Sequence, residues 1–189
     1  MTPASSHTGR LLVATPLLTD PNFSRAVVLL LDHDAQGALG VVLNHPTPIE
    51  VAAVLDGWSA LAGAMPVVFQ GGPVGLDSAL AVAVVPGEPG GVEPLGWRRV
   101  HGAIGLVDLE APPEVLAGEL GGLRVFAGYA GWSPGQLESE IAEGAWYLVD
   151  CEPGDIFSPE PERLWRAVLR RQRGPLAVLA TYPDDPTLN

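Results

Sequence analysis

Short apolar segments separated by glycine, proline or polar turns recur along most of the chain. Segments of about four to eight residues rich in Val, Leu and Ala are typical of strands. On this pattern the predicted strands are Leu11–Ala14, Ala26–Leu31, Ala38–Leu43, Val67–Phe69, Ala79–Val85, Ile104–Leu109, Leu123–Tyr129, Ala145–Val149 and Leu176–Thr181. The polar residues 32–37 predict a turn that joins the second and third of these strands into a hairpin.

Apolar residues at helical spacing follow capping sequences elsewhere in the chain, and these segments are predicted to be helices. Ser133, with Pro134 and then Gln136 after it, has the sequence of an N-terminal cap. The predicted helices begin at Thr47, Pro112, Ser133 and Ser158. Because hairpins are interspersed with helices, we predict an α+β fold whose mixed or largely antiparallel sheet is flanked by helices.

The glycine- and proline-rich residues 86–98 resemble a boundary within the chain. We therefore predict a single domain over residues 1–189, with a small lobe around residues 86–120 as the alternative arrangement. The longest apolar runs, Ala26–Leu31 and Ala79–Val85, are far shorter than the ~18 residues of a membrane helix. No basic segment followed by an apolar one opens the sequence. We accordingly expect a cytoplasmic (cytosolic) protein without a membrane partner.

The charge of the chain disfavours binding to nucleic acid. It carries 10 Lys and Arg residues against 22 Asp and Glu residues, a formal net charge of −12, and affinity for phosphate backbones depends largely on cations. Arginines are nevertheless concentrated at 163–173, after an acidic segment. We interpret this cluster as the solvated face of a helix that pairs with that segment, with a local anion- or nucleic-acid-binding helix as the alternative.

One short motif suggests a serine hydrolase, but two features argue against that function. Gly131–Gly135 fits the G-x-S-x-G pattern between a predicted strand and a predicted helix. In that fold the residue after the serine donates its backbone N–H to the oxyanion, and Pro134 has none. The four histidines all precede Ser133, whereas the hydrolase order places the histidine after the serine. No catalytic residue is therefore predicted.

The residues that commonly bind metals give no site either. The single cysteine, Cys151, excludes an intrachain disulfide and a Cys-rich zinc site, and neighbouring carboxylates are expected to raise its pKa. Asp32, His33 and Asp34 are adjacent, so they cannot enclose an ion by themselves. We predict no metal and no cofactor.

Two glycine-rich loops follow predicted strands, and we predict a ligand site where they converge. The loops are Gln70–Gly72 and the segment 128–136, and Thr15 and Asn44 also lie just beyond strands. The predicted ligand-binding residues are Thr15, Asn44, Gln70, Gly71, Gly72, Tyr129, Ser133, Gln136 and Glu138. Their polar groups suit a neutral or weakly anionic ligand. The competing interpretation is that the glycines only shape turns and that Tyr129 only packs.

Several long motifs occur in an order that resembles one bacterial family. They are Gly9–Pro16, Asp20–Arg25 continuing to Leu43–Asn44, Phe69–Val74, Phe126–Glu138 and the Tyr182–Asn189 tail. Together they are similar to the motifs of the YqgE/AlgH family. The resemblance implies a cytosolic α+β protein and no established enzymatic activity, and the AlgH name links some members to the control of alginate synthesis.

These observations lead to one predicted function and two alternatives. We expect a non-catalytic cytosolic protein that binds a small ligand or a protein partner and has a regulatory role. One alternative is a transcriptional regulator that contacts DNA directly, although the charge disfavours it. The other is an enzyme of unrecognised chemistry.

Overall fold

The structure, a computed structural model, describes residues 6–87 and 91–183. Within these residues the strands are β1 (Leu11–Ala14), β2 (Val27–Asp34), β3 (Gly37–Val42), β4 (Pro46–Glu50), β5 (Val67–Gln70), β6 (Val74–Val84), β7 (Trp97–His101), β8 (Ile104–Val107), β9 (Gly122–Trp132) and β10 (Trp146–Val149). The α-helices are α1 (Val51–Val54), α2 (Gln136–Ala142), α3 (Pro153–Ile156), α4 (Leu164–Arg170) and α5 (Pro175–Leu179). Short 3-10 turns occur at Ser59–Ala62, Pro113–Val115 and Pro161–Arg163.

The strands form one strongly curled sheet. Its main path runs β10-β1-β2-β3-β9-β6-β8-β7, and β4 joins it through β5, which pairs with β9. The β5–β9 pair is parallel and the other described pairs are antiparallel. The curl brings distant strands together, since a Cβ on Gly9, just before β1, would lie 2.4 Å from the Cβ of His101 at the end of β7. The sheet is therefore a half-barrel.

The interior of the half-barrel holds the main hydrophobic core. Alternate residues of its strands, such as Leu29, Val41 and Val82, point inward and are fully buried. Helix α4 covers one opening with Trp165, whose indole Nε1–H donates to the Ala14 carbonyl at 2.8 Å. Burial of a large apolar side chain contributes about 1.5–3 kcal/mol, so this interior dominates the stability of the fold.

Two smaller cores cover the outer faces of the same sheet. Trp132 and Trp146 pack at a 75° interplanar angle in the core that includes Leu137 of α2. Trp58 and Leu116 pack on the outer side of β6, β8 and β9. The apolar residues on both faces explain why these strands read as continuous hydrophobic runs in the sequence.

The predicted fold class is confirmed in its coarse form and corrected in one respect. The protein is α+β and its sheet is largely antiparallel. The predicted flanking helices are wrong, because the longest described α-helices have 7 residues and the curled sheet closes most of the core by itself.

Two local predictions are also wrong. Thr47 is not a helix cap, because Pro46–Glu50 is a strand in which the Thr47 hydroxyl donates to the Val68 carbonyl at 2.6 Å. The segment predicted as a closing strand, Leu176–Thr181, falls mainly in α5. Pro175 occupies the first turn of that helix, where its missing N–H costs nothing.

The region considered for a separate lobe continues the main sheet. β7 and β8 pair with each other, and β8 pairs with β6. The division of residues 1–189 into one domain or a domain with a lobe stays a prediction. In the described ranges, none of the helices has the length and apolar character required to traverse a lipid bilayer.

Candidate functional site

The two glycine-rich loops meet, as predicted, but their backbones fill the space between them. Gly71 donates its N–H to the Ala127 carbonyl at 2.8 Å. A Cβ on Gly72 would lie 2.1 Å from the Tyr129 carbonyl, and one on Gly128 would lie 2.6 Å from the Gly72 carbonyl. The loops converge because β5 runs parallel to β9. Close backbone packing explains these glycines without a ligand.

Thr15 and Asn44 use their polar atoms within the chain. The Thr15 hydroxyl, which is buried, donates to the Gly144 carbonyl at 2.6 Å. The Asn44 side chain accepts from the Val27 N–H at 3.0 Å and donates to the Arg25 carbonyl at 2.9 Å. Both residues therefore hold the loop between β1 and β2 in place.

Ser133 and Gln136 belong to a hydrogen-bonded chain at the start of α2. The helix begins at Gln136, and the Ser133 side chain does not cap it. Instead the Gln136 side chain accepts from the Ser133 N–H at 2.9 Å and donates to Glu140 at 3.1 Å. Glu140 also accepts from the Nε1–H groups of Trp132 and Trp146, at 3.2 and 3.1 Å. The prediction that Ser133 acts as a side-chain cap is wrong.

Glu138 forms a pair with a histidine from another part of the sequence. Its carboxylate lies 2.5 Å from Nε2 of His33, which is 5% exposed. Nδ1 of His33 accepts from the His7 N–H at 3.0 Å, so Nε2 carries the proton that Glu138 accepts. This hydrogen bond lowers the pKa of Glu138 below its ordinary value. His33 lies in β2, so its predicted position in a polar turn is wrong.

A cleft lined by residues of β2, β3, β6, β7, β8 and β9 combines an apolar floor with polar residues. Its volume is about 530 Å³. The apolar floor consists of Leu31, Leu39, Leu80 and Leu106, which belong to or pack against the main core. The polar residues around it are Thr8, Asp32, Ser78, Arg98, Arg99 and Tyr129. Of the predicted ligand-binding residues, Tyr129 is the one that lines this cleft.

The two arginines of the cleft differ in how they are held. The Arg99 Nε–H donates to Glu93 at 3.3 Å, Nη1 donates to the Gly102 carbonyl, and the guanidinium lies 5.2 Å from the Trp97 ring centroid. Arg98 is exposed, and no carboxylate in the described ranges lies within 4.0 Å of it. Arg98 pairs with Leu106 of the cleft floor and lies on the cleft side of β7, whereas the Arg99 guanidinium packs on Trp97, a residue of the outer core.

Sequence reasoning missed Arg98, Arg99 and His33 because their neighbours come from distant strands. Arg98 ends the glycine- and proline-rich residues 86–98 and Arg99 comes next, and neither belongs to a predicted strand or helix. The residues of Trp97–His101 do not alternate between apolar and polar, so this strand carried no clear signal in the sequence. For His33, the signal was its position two residues after Leu31, which puts both residues on the same face of a continuing strand.

The arginine cluster at 163–173 pairs in part with acidic residues. Arg171 forms a bidentate pair with Asp155, both N–O distances being 2.6 Å, and this raises the pKa of Arg171. Nη1 of Arg163 lies 3.5 Å from Oε1 of Glu160. These contacts agree with the predicted pairing between this helix and the acidic segment.

The thiol of Cys151 is protected from ionisation. Burial, and next the charge of Asp155, raise its pKa to about 12. The predicted direction is confirmed, although burial rather than charge is the larger cause. Among the described residues, no cluster of His, Cys, Asp and Glu has the arrangement of a metal site.

Comparison with known proteins places the chain in a family. The AlgH-like family model DUF179 matches residues 11–177. A UPF0301 protein of Streptomyces coelicolor is 73% identical over 190 residues, which cover 100% of this chain and 98% of that protein. A crystal structure of a Corynebacterium diphtheriae protein has a TM-score of 0.87 at 31% identity, covering 96% of this chain and 95% of that one. The solution structure of AlgH from Pseudomonas aeruginosa has a TM-score of 0.66 at 28% identity and covers 98% of this chain and 100% of that one. The chain therefore belongs to the AlgH-like family, as its motifs indicate.

Proposed function

We propose that this protein is a non-catalytic cytosolic binding protein with a regulatory role, and that its cleft takes a small molecule with an apolar body and an anionic group. The observation that carries the proposal is the cleft itself, in which Arg98 and Tyr129 border an exposed part of the main core. Ligand sites typically combine an apolar lining with a few polar groups that set orientation.

The size and floor of the cleft support a small-molecule ligand. Its volume of about 530 Å³ falls within the roughly 300–1,000 Å³ of known ligand pockets. Leu39, Leu80 and Leu106 are only partly buried there. A bound apolar group would remove their exposed surface from water, a gain of about 25 cal/mol per Å².

The local charge supports an anionic group on the ligand. Arg98 has no carboxylate within 4.0 Å among the described residues, so its guanidinium is available to an anion, whereas Arg99 is already paired with Glu93. A guanidinium binds carboxylate or phosphate oxygens through two parallel N–H groups. The Tyr129 hydroxyl adds a hydrogen-bonding group that serves as donor or acceptor.

The chemistry of the cleft supports binding rather than catalysis. Its described lining contains no histidine or cysteine. Ser78 is present, but a nucleophilic serine needs an adjacent general base, and no hydrogen bond in the described ranges joins Ser78 to one. His33 lies nearby in sequence to Asp32, but its ring nitrogens are occupied by His7 and Glu138.

The position of the cleft supports regulation by its ligand. The lining comes from β2 and β3 on one side and from β7 and β8 on the other. A ligand that contacts both sides would hold together the two parts of the curled sheet that approach at Gly9 and His101. Such a ligand stabilises this arrangement of the sheet, and a partner that recognises the same arrangement then binds more tightly.

A fluorescence titration with anilinonaphthalene sulfonate tests the proposal, because this probe joins an aromatic body to one sulfonate. We expect saturable binding to the folded protein. Ser78→Trp places a large side chain in the cleft from an exposed position and should weaken binding at least tenfold. Ala79→Trp is the matched control, since Ala79 is exposed but does not line the cleft. Equal binding by both variants would contradict the proposal.

A further inference from the structure

A second cavity lies beside an arginine inside the half-barrel. Arg124 of β9 is only 5% exposed. Its Nη1 donates to the carbonyls of Ile156 and Ser158, at 2.8 and 3.3 Å, and the guanidinium lies 4.2 Å from the Phe69 ring centroid. Its Nε is buried without a hydrogen-bond partner. No carboxylate of the described residues lies within ion-pair distance of it.

This arrangement leaves a buried charge only partly compensated. Burial lowers the pKa of Arg124 to about 10, which reports the cost of keeping the charged form away from water. Two carbonyls and an aromatic face stabilise a cation, but a buried charge without a counter-charge is normally unfavourable. The missing component is an anion next to the unpaired edge of the guanidinium.

The cavity that Arg124 borders has apolar walls and a small volume of about 200 Å³. Leu61, Met65, Leu123 and Phe157 contribute to these walls. An engineered apolar cavity of ~150 Å³ holds benzene. The space therefore suits a body no larger than one aromatic ring or a short alkyl chain.

We propose that this cavity is a binding site for a small monocarboxylate, with its carboxylate on the free N–H groups of Arg124 and its apolar body against Leu61, Met65 and Phe157. The site is separate from the cleft of the proposed function. Arg124 and Tyr129 are five residues apart on β9, which corresponds to about 17 Å of strand.

A competing role for Arg124 is purely structural. By donating to Ile156 and Ser158, the guanidinium ties the segment after α3 to β9. That role explains Nη1 but gives no function to the unpaired Nε or to the cavity next to it. It also predicts no binding of carboxylates.

Titration of the full chain with sodium benzoate, followed by amide NMR shifts, tests the proposal. We expect saturable shifts around Leu61–Met65 and residues 121–124. Benzamide, which has the same ring but no charge, should bind at least tenfold more weakly. Inorganic phosphate, which has charge but no apolar body, should also bind at least tenfold more weakly.

Two variants locate the binding. Arg124→Met should weaken benzoate binding at least tenfold. Ala64→Trp keeps the arginine but fills the cavity from an exposed position, so it gives the same test if Arg124→Met does not fold. Ala60→Trp is the matched control, because Ala60 is exposed and does not line the cavity. Absence of benzoate shifts, equal binding of benzamide or phosphate, or unchanged binding by Ala64→Trp would overturn the proposal.

Discussion

Comparing Gly128→Ala with Gly135→Ala separates two costs of adding a side chain to a loop glycine. One is the clash of the new Cβ with neighbouring backbone, and the other is the strain of a left-handed backbone conformation. Gly128 and Gly135 have nearly the same backbone angle, φ +75° and +77°. An L-residue in this region costs about 1–2 kcal/mol at either position. The surroundings differ, because a Cβ on Gly128 would lie 2.6 Å from the Gly72 carbonyl and 2.9 Å from the Val74 carbonyl, whereas a Cβ on Gly135 meets nothing within 4 Å.

The expected losses of stability follow from this difference. Gly135→Ala should cost only the backbone term of about 1–2 kcal/mol. Gly128→Ala adds an overpacking term of about 1–3 kcal/mol, because the two carbonyls belong to backbone that is fixed by the sheet. The assay is urea unfolding followed by tryptophan fluorescence, which reports on Trp132 and Trp146 in the core. A difference below about 0.5 kcal/mol between the two variants would refute the packing argument.

Three further predictions concern pH, the thiol and DNA. Burial lowers the folded pKa of His45 below 6.5, so the unfolded chain binds its proton first and stability is lost as pH falls below that value. His45→Asn should reduce this loss in urea unfolding at about pH 5. The pKa of Cys151 is about 12, so its thiol should be alkylated by iodoacetamide at about pH 8 much more slowly than the thiol of free glutathione is. Equal alkylation rates for the two thiols would contradict the burial of Cys151. Fluorescence anisotropy at physiological salt should show no sub-micromolar binding of duplex DNA, and tight binding lost on neutralising the arginines of 163–173 would favour the regulator alternative.

Local sequence patterns were sufficient to predict most strands of the sheet. The runs that became β1, β2 and β3 lie within a few residues of their predicted bounds, because they are short, rich in Val and Leu, and bounded by turn residues. Leu176–Thr181 failed because a short apolar run fits a buried helix as well as a strand. Pro175 favours the helix, because proline is common in the first turn of a helix, where it lies here.

The candidate site was less predictable because its residues meet only through the curl of the sheet. Tyr129 of β9 was identified from its loop, but Arg98 and Arg99 come from β7, on the far side of the cleft. The pairing of His33 with Glu138 joins residues 105 positions apart. Arg124 was visible as a charged residue within an apolar strand, yet its lack of a partner depends on the folded surroundings.

Mapping the bound anilinonaphthalene sulfonate by amide NMR is the most direct test of the proposed binding function. We expect the largest shifts on Leu31, Leu80, Leu106 and Tyr129, and we expect Ser78→Trp, but not Ala79→Trp, to abolish them. Shifts confined to residues outside the cleft, or no saturable shifts at all, would contradict the claim that this cleft binds a small amphipathic anion.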